Sequence, residues 1–214
     1  MTILIATTNP GKIREIRLVL AGMHHKFVGL ADLAPVAEPE ETGATFAANA
    51  ELKARYYAAA TGLPTVAEDS GLVVDAIGGR PGVESARYPG DTYPEKFVNL
   101  YAELAPHPPP WTARFVCSLA YVEPQPAAGT PVSGPDLQLC FVTEATVEGQ
   151  VAKAPWGAHG FGYDPIFYYP PYSTTLGDVP DLKKLAIAHR GKAFRAFRQW
   201  LDNHGPARVS SRRS

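Results

Sequence analysis

Two adjacent acids, Glu68 and Asp69, lie within the segment 65–90 and offer the clearest chemistry in the sequence. Carboxylates beside an apolar strand are costly unless a cation or hydrogen bonds compensate their charge. One interpretation is a divalent-cation site that acts on a phosphate, because Mg²⁺ prefers carboxylate oxygens and keeps several waters. The other interpretation is structural, with Glu68 capping a turn and Asp69 forming an Asx-turn to Gly71. These residues alone leave both interpretations open.

A second candidate is the loop 7–12, which separates a short apolar run from a helical pattern. Thr8 or Asn9 is the expected N-cap of that helix, with Pro10 in its first turn. Unpaired backbone N–H groups at a helix start attract phosphate, and Lys12 adds a full positive charge there. The loop lacks the glycine spacing of a Walker motif. The alternative is therefore a plain capped helix with an exposed lysine.

A third candidate combines an acidic loop with the helix predicted over about 45–60. The acids of the loop are Glu38, Glu40 and Glu41. Negative charge is favourable just before a helix, so a solvated turn is one interpretation. The other is that one or two of these acids join Asp69 around a cation. Asn49 and Lys53 are four residues apart and share a helix face. Because this helix leads directly into the strand of Asp69, Lys53 is expected to reach the same cavity.

The C-terminal third of the chain offers residues suited to a nucleobase. Gly160 and Gly162 bracket Phe161, so its ring can be presented for stacking on a purine or pyrimidine. The alternative is a glycine-rich turn with core aromatic residues. His189 and Arg190 stand at a predicted helix start, where their donors and the helix dipole favour an anion or a carbonyl oxygen. An exposed basic turn is the alternative there.

The elements that position these residues follow from hydrophobic periodicity. Apolar or alternating runs predict strands over 3–6, 26–30, 65–67, 72–74 and 166–169, with Ser70 and Gly71 expected to turn the chain between two of them. Alternation over 112–122 and 137–148 predicts a long antiparallel hairpin, with a loop over 124–136. Thr92 and Glu95 predict a capping box before a helix. Another helix is expected after Arg190, with Phe194, Phe197, Trp200 and Leu201 on its apolar side.

Composition bounds the classes of function. The net charge is −1, from 20 basic and 21 acidic residues among 214, so no global field indicates nucleic acid or an anionic membrane as partner. The sequence contains no run of 18 apolar residues, so no membrane span is expected. Two distant cysteines do not form a zinc pattern, and without a signal peptide they predict reduced thiols in the cytoplasm. Residues 1–205 are expected to form one two-lobed domain, and 206–214 a disordered basic tail.

The order of these motifs is more specific than any one of them. The segments concerned are Thr7–Lys12, Glu40–Phe46 with Asn49 and Lys53, Glu68–Leu72, Gly78–Gly82 with Ser85–Tyr88, Phe161–Pro165 and Ala188–Arg190. Together, from about Ile3 to Leu201, they resemble the inosine triphosphate pyrophosphatases, also called dITP/XTP pyrophosphatases. The resemblance implies an α/β fold with a mixed, elongated central sheet flanked by helices, and a cleft between two lobes. It also implies a homodimer and Mg²⁺-dependent hydrolysis of nonstandard purine nucleoside triphosphates (ITP, dITP, XTP, dXTP) to monophosphate and pyrophosphate, which cleanses the nucleotide pool.

The resemblance also implies residue roles. The implied catalytic residues are Asp69 as proton acceptor, Lys12, Lys53 and Glu41. The implied metal ligands are Asp69 and Glu40, with Glu41 as the alternative second acid. The implied substrate contacts are Thr7, Thr8, Asn9, Pro10, Gly11, Lys12, Ser70, Phe161, Gly162, Tyr163, Asp164, Lys184, His189 and Arg190. The chain departs from the common pattern at Glu68, His159, Lys183 and Ala188. Two other functions stay open: a pyrophosphatase for other modified nucleotides, and a non-catalytic nucleotide sensor.

Overall fold

The computed structural model describes residues 1–125 and 136–204. Its strands are β1 (Thr2–Ile5), β2 (Lys26–Gly29), β3 (Thr65–Val74), β4 (Thr112–Gln125), β5 (Asp136–Val151), β6 (Phe167–Tyr169) and β7 (Thr174–Thr175). Its helices are α1 (Pro10–Leu20), α2 (Phe46–Thr61), α3 (Tyr93–Leu104), α4 (Asp181–Ile187) and α5 (His189–His204). The predicted tail 206–214 and most of the predicted loop 124–136 lie outside the described residues. In the described residues, no helix combines the length and the apolarity that crossing a bilayer requires.

The strands form one mixed sheet in the order β2-β1-β3-β4-β5-β6-β7. β1 is parallel to both β2 and β3, whereas every pair from β3 to β7 is antiparallel. The long β4–β5 hairpin predicted from alternation is present, as is the capping box of Thr92 and Glu95 at the start of α3. α4 was not predicted. The mixed α/β architecture with a central sheet is confirmed.

Three clusters of buried apolar side chains divide the molecule into two lobes. In the first lobe, α1 and α5 pack on one face of β1, β3 and β4, around Ile16, Tyr121 and Phe197. The alanine-rich side of α2 packs on the opposite face through Ala54 and Tyr57. In the second lobe, α3 packs against the far ends of β3 to β6. Burial of these apolar faces is the main favourable term in forming both lobes.

The predicted turn at Ser70 and Gly71 is wrong, because β3 runs through both residues without interruption. Ser70 pairs with Cys117 and Gly71 with Val116 in a ladder that β4 continues along the whole of β3. Gly71 serves close packing instead. A Cβ there would lie 2.5 Å from the carbonyl oxygen of Gly82. The absence of a side chain therefore lets the segment after β3 fold back onto the strand.

A substitution at Gly71 tests this packing. Gly71→Ala should destabilise the fold by about 1–3 kcal/mol, the usual cost of overpacking. Gly29→Ala is the matched control, since Gly29 is also a buried strand glycine but a Cβ there meets its nearest atom at 3.7 Å. Its φ of −99° suits alanine as well. Urea denaturation followed by circular dichroism would measure both variants. Equal stability of the two would contradict the assigned role of Gly71.

Candidate active site

The site lies where the sheet has a gap. β1 ends at Ile5, opposite Val66, but β3 continues for eight more residues, and none of the strands within 1–125 and 136–204 lies on that side. The loop after β1 and the segment after β3 border the gap. Ligands of open α/β sheets bind beyond the carboxyl ends of parallel strands, at places where neighbouring strands diverge. The acid pair Glu68 and Asp69 is at this position.

Two adjoining cavities occupy the gap. The first is bordered by aromatic rings and by buried cations, and the second by threonines, acids and cations that are partly or fully exposed. Aromatic residues of the first are Tyr93, Phe115, Phe161 and Tyr163. Polar residues of the second include Thr7, Thr8, Glu38, Glu40, Lys53 and Arg87. Asn9, Lys12, Glu41 and Ala86 border both cavities, so one elongated ligand can span the two.

Asp69 extends from β3 toward α2. Its Oδ2 accepts a hydrogen bond from Asn49 Nδ2 at 3.2 Å, and its Oδ1 lies 3.3 Å from Lys53 Nζ. Burial raises the pKa of Asp69, and Lys53 and Lys12 offset only part of that rise. Asp69 also borders the first cavity. A buried carboxyl group with a raised pKa that faces a cavity is suited to accept a proton.

Glu41 links the acidic loop to this aspartate. Its Oε1 accepts a short hydrogen bond from Lys53, and its Oε2 lies 3.0 Å from Arg87 Nη1. Burial alone would raise the pKa of Glu41, but Lys53 and Arg87 outweigh it and lower the pKa. Because Lys53 contacts both Glu41 and Asp69, these two carboxylates are close together. Glu40 is exposed at the edge of the second cavity, and its assignment as a metal ligand stays a prediction.

Glu68 extends to the opposite face of β3, as the alternation of a strand requires. Its Oε1 lies 2.9 Å from Lys12 Nζ and 3.3 Å from Arg190 Nε. The Cys117 thiol donates to its Oε2 at 3.5 Å. Burial would raise the pKa of Glu68, but Arg190 and Lys12 outweigh it and hold the pKa well below its ordinary value. Glu68 is therefore a permanent anion that positions cations.

Glu15 is a site residue that the sequence analysis missed. It is fully buried on α1, with Oε2 at 2.6 Å from Arg190 Nη1 and Oε1 at 2.7 Å from Lys184 Nζ. Lys184 also donates to Asp164. The available signal was an acid directly before Ile16 on the apolar side of the helix. These side chains form a continuous buried ion network from Asp164 to Lys12, and it contains Asp164, Lys184, Glu15, Arg190, Glu68 and Lys12.

Phe161 lies at the cationic end of the first cavity. Lys184 Nζ is 4.9 Å from the centre of its ring, and Arg190 Cζ is 5.4 Å away. Its backbone N–H donates to Asp164 Oδ2 at 2.8 Å. Gly162 has a φ of +66°, which favours glycine, and presentation of the ring to a base stays a prediction. Tyr163 is mainly a core residue, and its hydroxyl donates to the carbonyl of Ser85 at 2.9 Å.

The loop 7–12 differs from the simple phosphate-binding prediction. Asn9 is the N-cap of α1, and its Oδ1 accepts from the N–H groups of Gly11 at 2.9 Å and Lys12 at 3.1 Å. Those two N–H groups are therefore paired, which corrects the expectation of free donors. Thr7, Thr8 and Lys12 still border the second cavity. Any phosphate there would meet their side chains and the positive end of the α1 dipole.

His189 and Arg190 do not form an exposed basic turn. His189 is buried in the first turn of α5, and its ring stacks on Phe115 with a centroid distance of 4.8 Å. Burial lowers the pKa of His189 well below its ordinary value, so the ring is neutral. Arg190 donates to Ser70 Oγ at 2.8 Å in addition to its two acids. Both residues border the first cavity, as does Ser70.

The carboxylates of the site could hold a magnesium ion only together with oxygens from water or a ligand. Within residues 1–125 and 136–204, no cluster of three or more acidic, histidine or cysteine side chains forms a complete metal site. Asp69, which borders the first cavity, and Glu41, which borders both, nevertheless offer two neighbouring carboxylates. Mg²⁺ is commonly held by one or two carboxylates together with water and substrate phosphates. The donor set therefore fits Mg²⁺ bound with a phosphorylated ligand.

Known proteins are similar to this chain over nearly its whole length. The chain is 42% identical over 202 residues to a Geobacillus kaustophilus protein named dITP/XTP pyrophosphatase, covering 92% of this chain and 93% of that one. It is 42% identical over 214 residues to a Thermus thermophilus protein of the same name, covering 98% and 97%. The structure of a HAM1 protein from Coxiella burnetii matches with a TM-score of 0.81 and 34% identity, covering 95% of this chain and 99% of that one.

The family expected from the motifs is confirmed by these relatives, since the names they carry are the names of that family. The description Ham1 family belongs to a family model that matches residues 3–200, nearly the whole of the described chain. A match of that extent, with the relatives above, shows that this chain is a member of the Ham1 family.

Proposed function

We propose that this protein hydrolyses nonstandard purine nucleoside triphosphates, such as dITP, ITP, XTP and dXTP, to the monophosphate and pyrophosphate. The observation that carries the proposal is the pair of adjoining cavities, one aromatic and one polar, that share Lys12 and Glu41. A purine suits the aromatic cavity and a triphosphate suits the polar one. Such an activity removes deaminated nucleotides before a polymerase incorporates them. Relatives that are named dITP/XTP pyrophosphatase support this substrate class.

Asp69 is proposed as the proton acceptor for the attacking water. It borders the first cavity, and Asn49 and Lys53 fix its two oxygens. Attack on the α-phosphorus forms the new P–O bond, and pyrophosphate leaves with the bonding electrons. Lys12 and Lys53 stabilise the negative charge on the phosphate oxygens, which is the largest contribution in most phosphoryl transfers.

Mg²⁺ is proposed as the cofactor, held by Asp69 together with Glu40 or Glu41. When bound, it would neutralise charge on the triphosphate oxygens. Thr7, Thr8, Asn9, Pro10 and Gly11 are proposed to line the phosphate path, with Lys12 at its junction with the base cavity. Arg87, which the sequence analysis did not assign, pairs with Glu41 and holds that acid toward Lys53.

Selection of the base is proposed to depend on the oxygen at position 6 of hypoxanthine and xanthine. Ser70, Phe161, Gly162, Tyr163, Asp164, Lys184, His189 and Arg190 are the proposed base-side residues, and all of them border the aromatic cavity. Side-chain N–H donors that border this cavity can hydrogen-bond to the carbonyl oxygen at position 6. Adenine presents an amino group at the same position, which would leave buried donors unpaired.

Three broader assignments accompany the proposal. Residues 1–205 act as one catalytic domain of two lobes, since the proposed site takes residues from both lobes. A homodimer is proposed from the family resemblance alone, and sedimentation velocity would test it. Cys117 and Cys140 are free thiols in the structure, which agrees with a reducing compartment such as the cytoplasm.

Replacement of the proposed base tests the mechanism. Asp69→Asn should reduce kcat for dITP by about 10²–10⁴-fold, the usual contribution of a general base. Pyrophosphate release measures the rate, and circular dichroism verifies the fold. Asp75→Asn is the matched control, because Asp75 follows the same strand but bonds to Thr112 and Arg114 outside the cavities. A near-normal rate for Asp69→Asn would refute the assignment.

A substrate panel tests the selection of the base. kcat/KM for dITP and XTP should exceed that for dATP by about 5–150-fold, which corresponds to one buried donor left unpaired at about 1–3 kcal/mol. Lys184→Met should narrow this ratio, since it removes the ammonium group beside Phe161. Wild-type protein that hydrolyses dITP and dATP equally well would count against this account. Activity confined to other modified nucleotides would favour the alternative pyrophosphatase.

Metal removal separates an enzyme from a nucleotide sensor. Treatment with EDTA should abolish pyrophosphate release, and added Mg²⁺ should restore it, because two carboxylates and a triphosphate repel each other without a cation. Binding of ITP, measured by calorimetry with and without Mg²⁺, provides the second readout. Tight binding of ITP without any release of pyrophosphate in Mg²⁺ would favour the sensor.

A further inference from the structure

Lys96 on α3 is a buried lysine that the proposed mechanism does not use. Only 7% of the residue is exposed, and it shares the buried side of α3 with Phe97, Leu100 and Leu104. Its Nζ donates to the carbonyl oxygens of Tyr88 at 2.6 Å and Ala86 at 3.1 Å. In the part of the chain that the structure describes, its hydrogen-bond acceptors are thus main-chain carbonyls. Burial of an ammonium group is costly and needs such compensation.

The segment that Lys96 contacts, residues 85–88, is a wall of the site. Ala86 borders both cavities, and Arg87 borders the polar cavity and pairs with Glu41. Ser85 fixes one end of the segment, since its Oγ accepts from the N–H of Leu72 on β3 at 2.9 Å. Among the described residues, the other end makes no such side-chain hydrogen bond with the sheet, and side chains of α3 hold it instead.

The contact between this segment and α3 is close. A Cβ on Gly90 would lie 2.8 Å from the backbone nitrogen of Lys96. Gly90 has a φ of +120°, which only glycine adopts readily. The chain therefore passes directly against the first turn of α3, and the carbonyls of Ala86 and Tyr88 come within reach of the lysine.

We propose that Lys96 is a positioning residue: through two carbonyls it holds residues 86–88, and thereby Arg87 and Glu41, in place for the triphosphate. It does not touch the substrate. The proposal rests on the proposed function for its kinetic consequence, whereas its structural consequence can be measured without activity.

The test is a double-mutant cycle with ITP as substrate. Lys96→Met removes the donors but keeps a stem of similar length, and it should lower kcat/KM about tenfold. Arg87→Ala should cause a comparable loss. If Lys96 acts through Arg87, the double variant should be no worse than Arg87→Ala alone, because coupled residues are non-additive. Fully additive losses, about a hundredfold in the double variant, would overturn the proposal.

Asn99→Ala is the matched control. Asn99 is on the same helix and donates to the carbonyl of Pro89 in the neighbouring stretch at 2.9 Å, but the contact is exposed. Its kinetics should stay within twofold of wild type. If Asn99→Ala loses as much activity as Lys96→Met, then loss of any contact between this stretch and α3 lowers activity. The specific role of Lys96 then fails.

Hydrogen exchange provides the readout that is independent of activity. Backbone amides of residues 85–90 should exchange faster in Lys96→Met than in wild type, while amides of β3 and β4 keep their protection. Unchanged exchange at 85–90 refutes the proposal even if the wild type is active. Faster exchange at 85–90 in a protein that releases no pyrophosphate from any triphosphate supports the positioning role and refutes only the proposed function. If Lys96→Met fails to fold, Lys96→Gln, which retains a donor, is measured in the same cycle.

Discussion

The structure depends on the balance of buried charge beneath the two cavities. Glu15, Glu68 and Asp164 are at most 2% exposed, and each is paired with a cation at hydrogen-bonding distance. Loss of one partner of a buried pair costs about 3–5 kcal/mol, because it leaves the other charge uncompensated. Helices α1, α4 and α5 and strand β3 all contribute to this network. The position of each helix is therefore set by charge as well as by apolar packing.

Strand alternation gives the two adjacent acids of β3 different surroundings. Glu68 faces Lys12 and Arg190, which hold its pKa well below the ordinary value, so it stays ionised. Asp69 faces α2, where burial dominates and raises its pKa. Neighbouring carboxyl groups whose pKa values are driven apart commonly divide structural and proton-transfer roles. A single strand thus supplies both a fixed anion and a candidate base.

Local signals explain what could be predicted from the sequence. Asn9, Thr92 and Glu95 act on residues within one helical turn, so their caps could be read directly. The β4–β5 hairpin follows from alternation alone. By contrast, Ser70 and Gly71 resemble a turn, and only the presence of β4 makes them a strand.

Long-range partners explain what could not be predicted. Glu15 is 175 residues from Arg190, and a charged residue on an amphipathic helix normally faces solvent. For the same reason the burial of Lys96 could not be predicted, because its hydrogen-bond acceptors are main-chain carbonyls of a loop. The choice between Glu40 and Glu41 depends on the path of an irregular loop, for which periodicity gives no information. The order of the motifs was enough to identify the family, whereas the contacts that hold the site together could be found only in the structure.

The same network also limits how the proposed purine base can be recognised. Arg190 donates to Glu15, Glu68 and Ser70, so it cannot turn toward a ligand without leaving buried oxygens unpaired. Lys184 has three N–H donors; one goes to Asp164, and the ammonium group also lies 2.7 Å from Glu15 Oε1. The donors that Asp164 does not take are proposed to meet the base oxygen, and the two acids fix the position of the ammonium group. Arg190 and Glu15 therefore hold this ammonium group in place, and the proposed selection between an oxygen and an amino group depends on a preorganised donor.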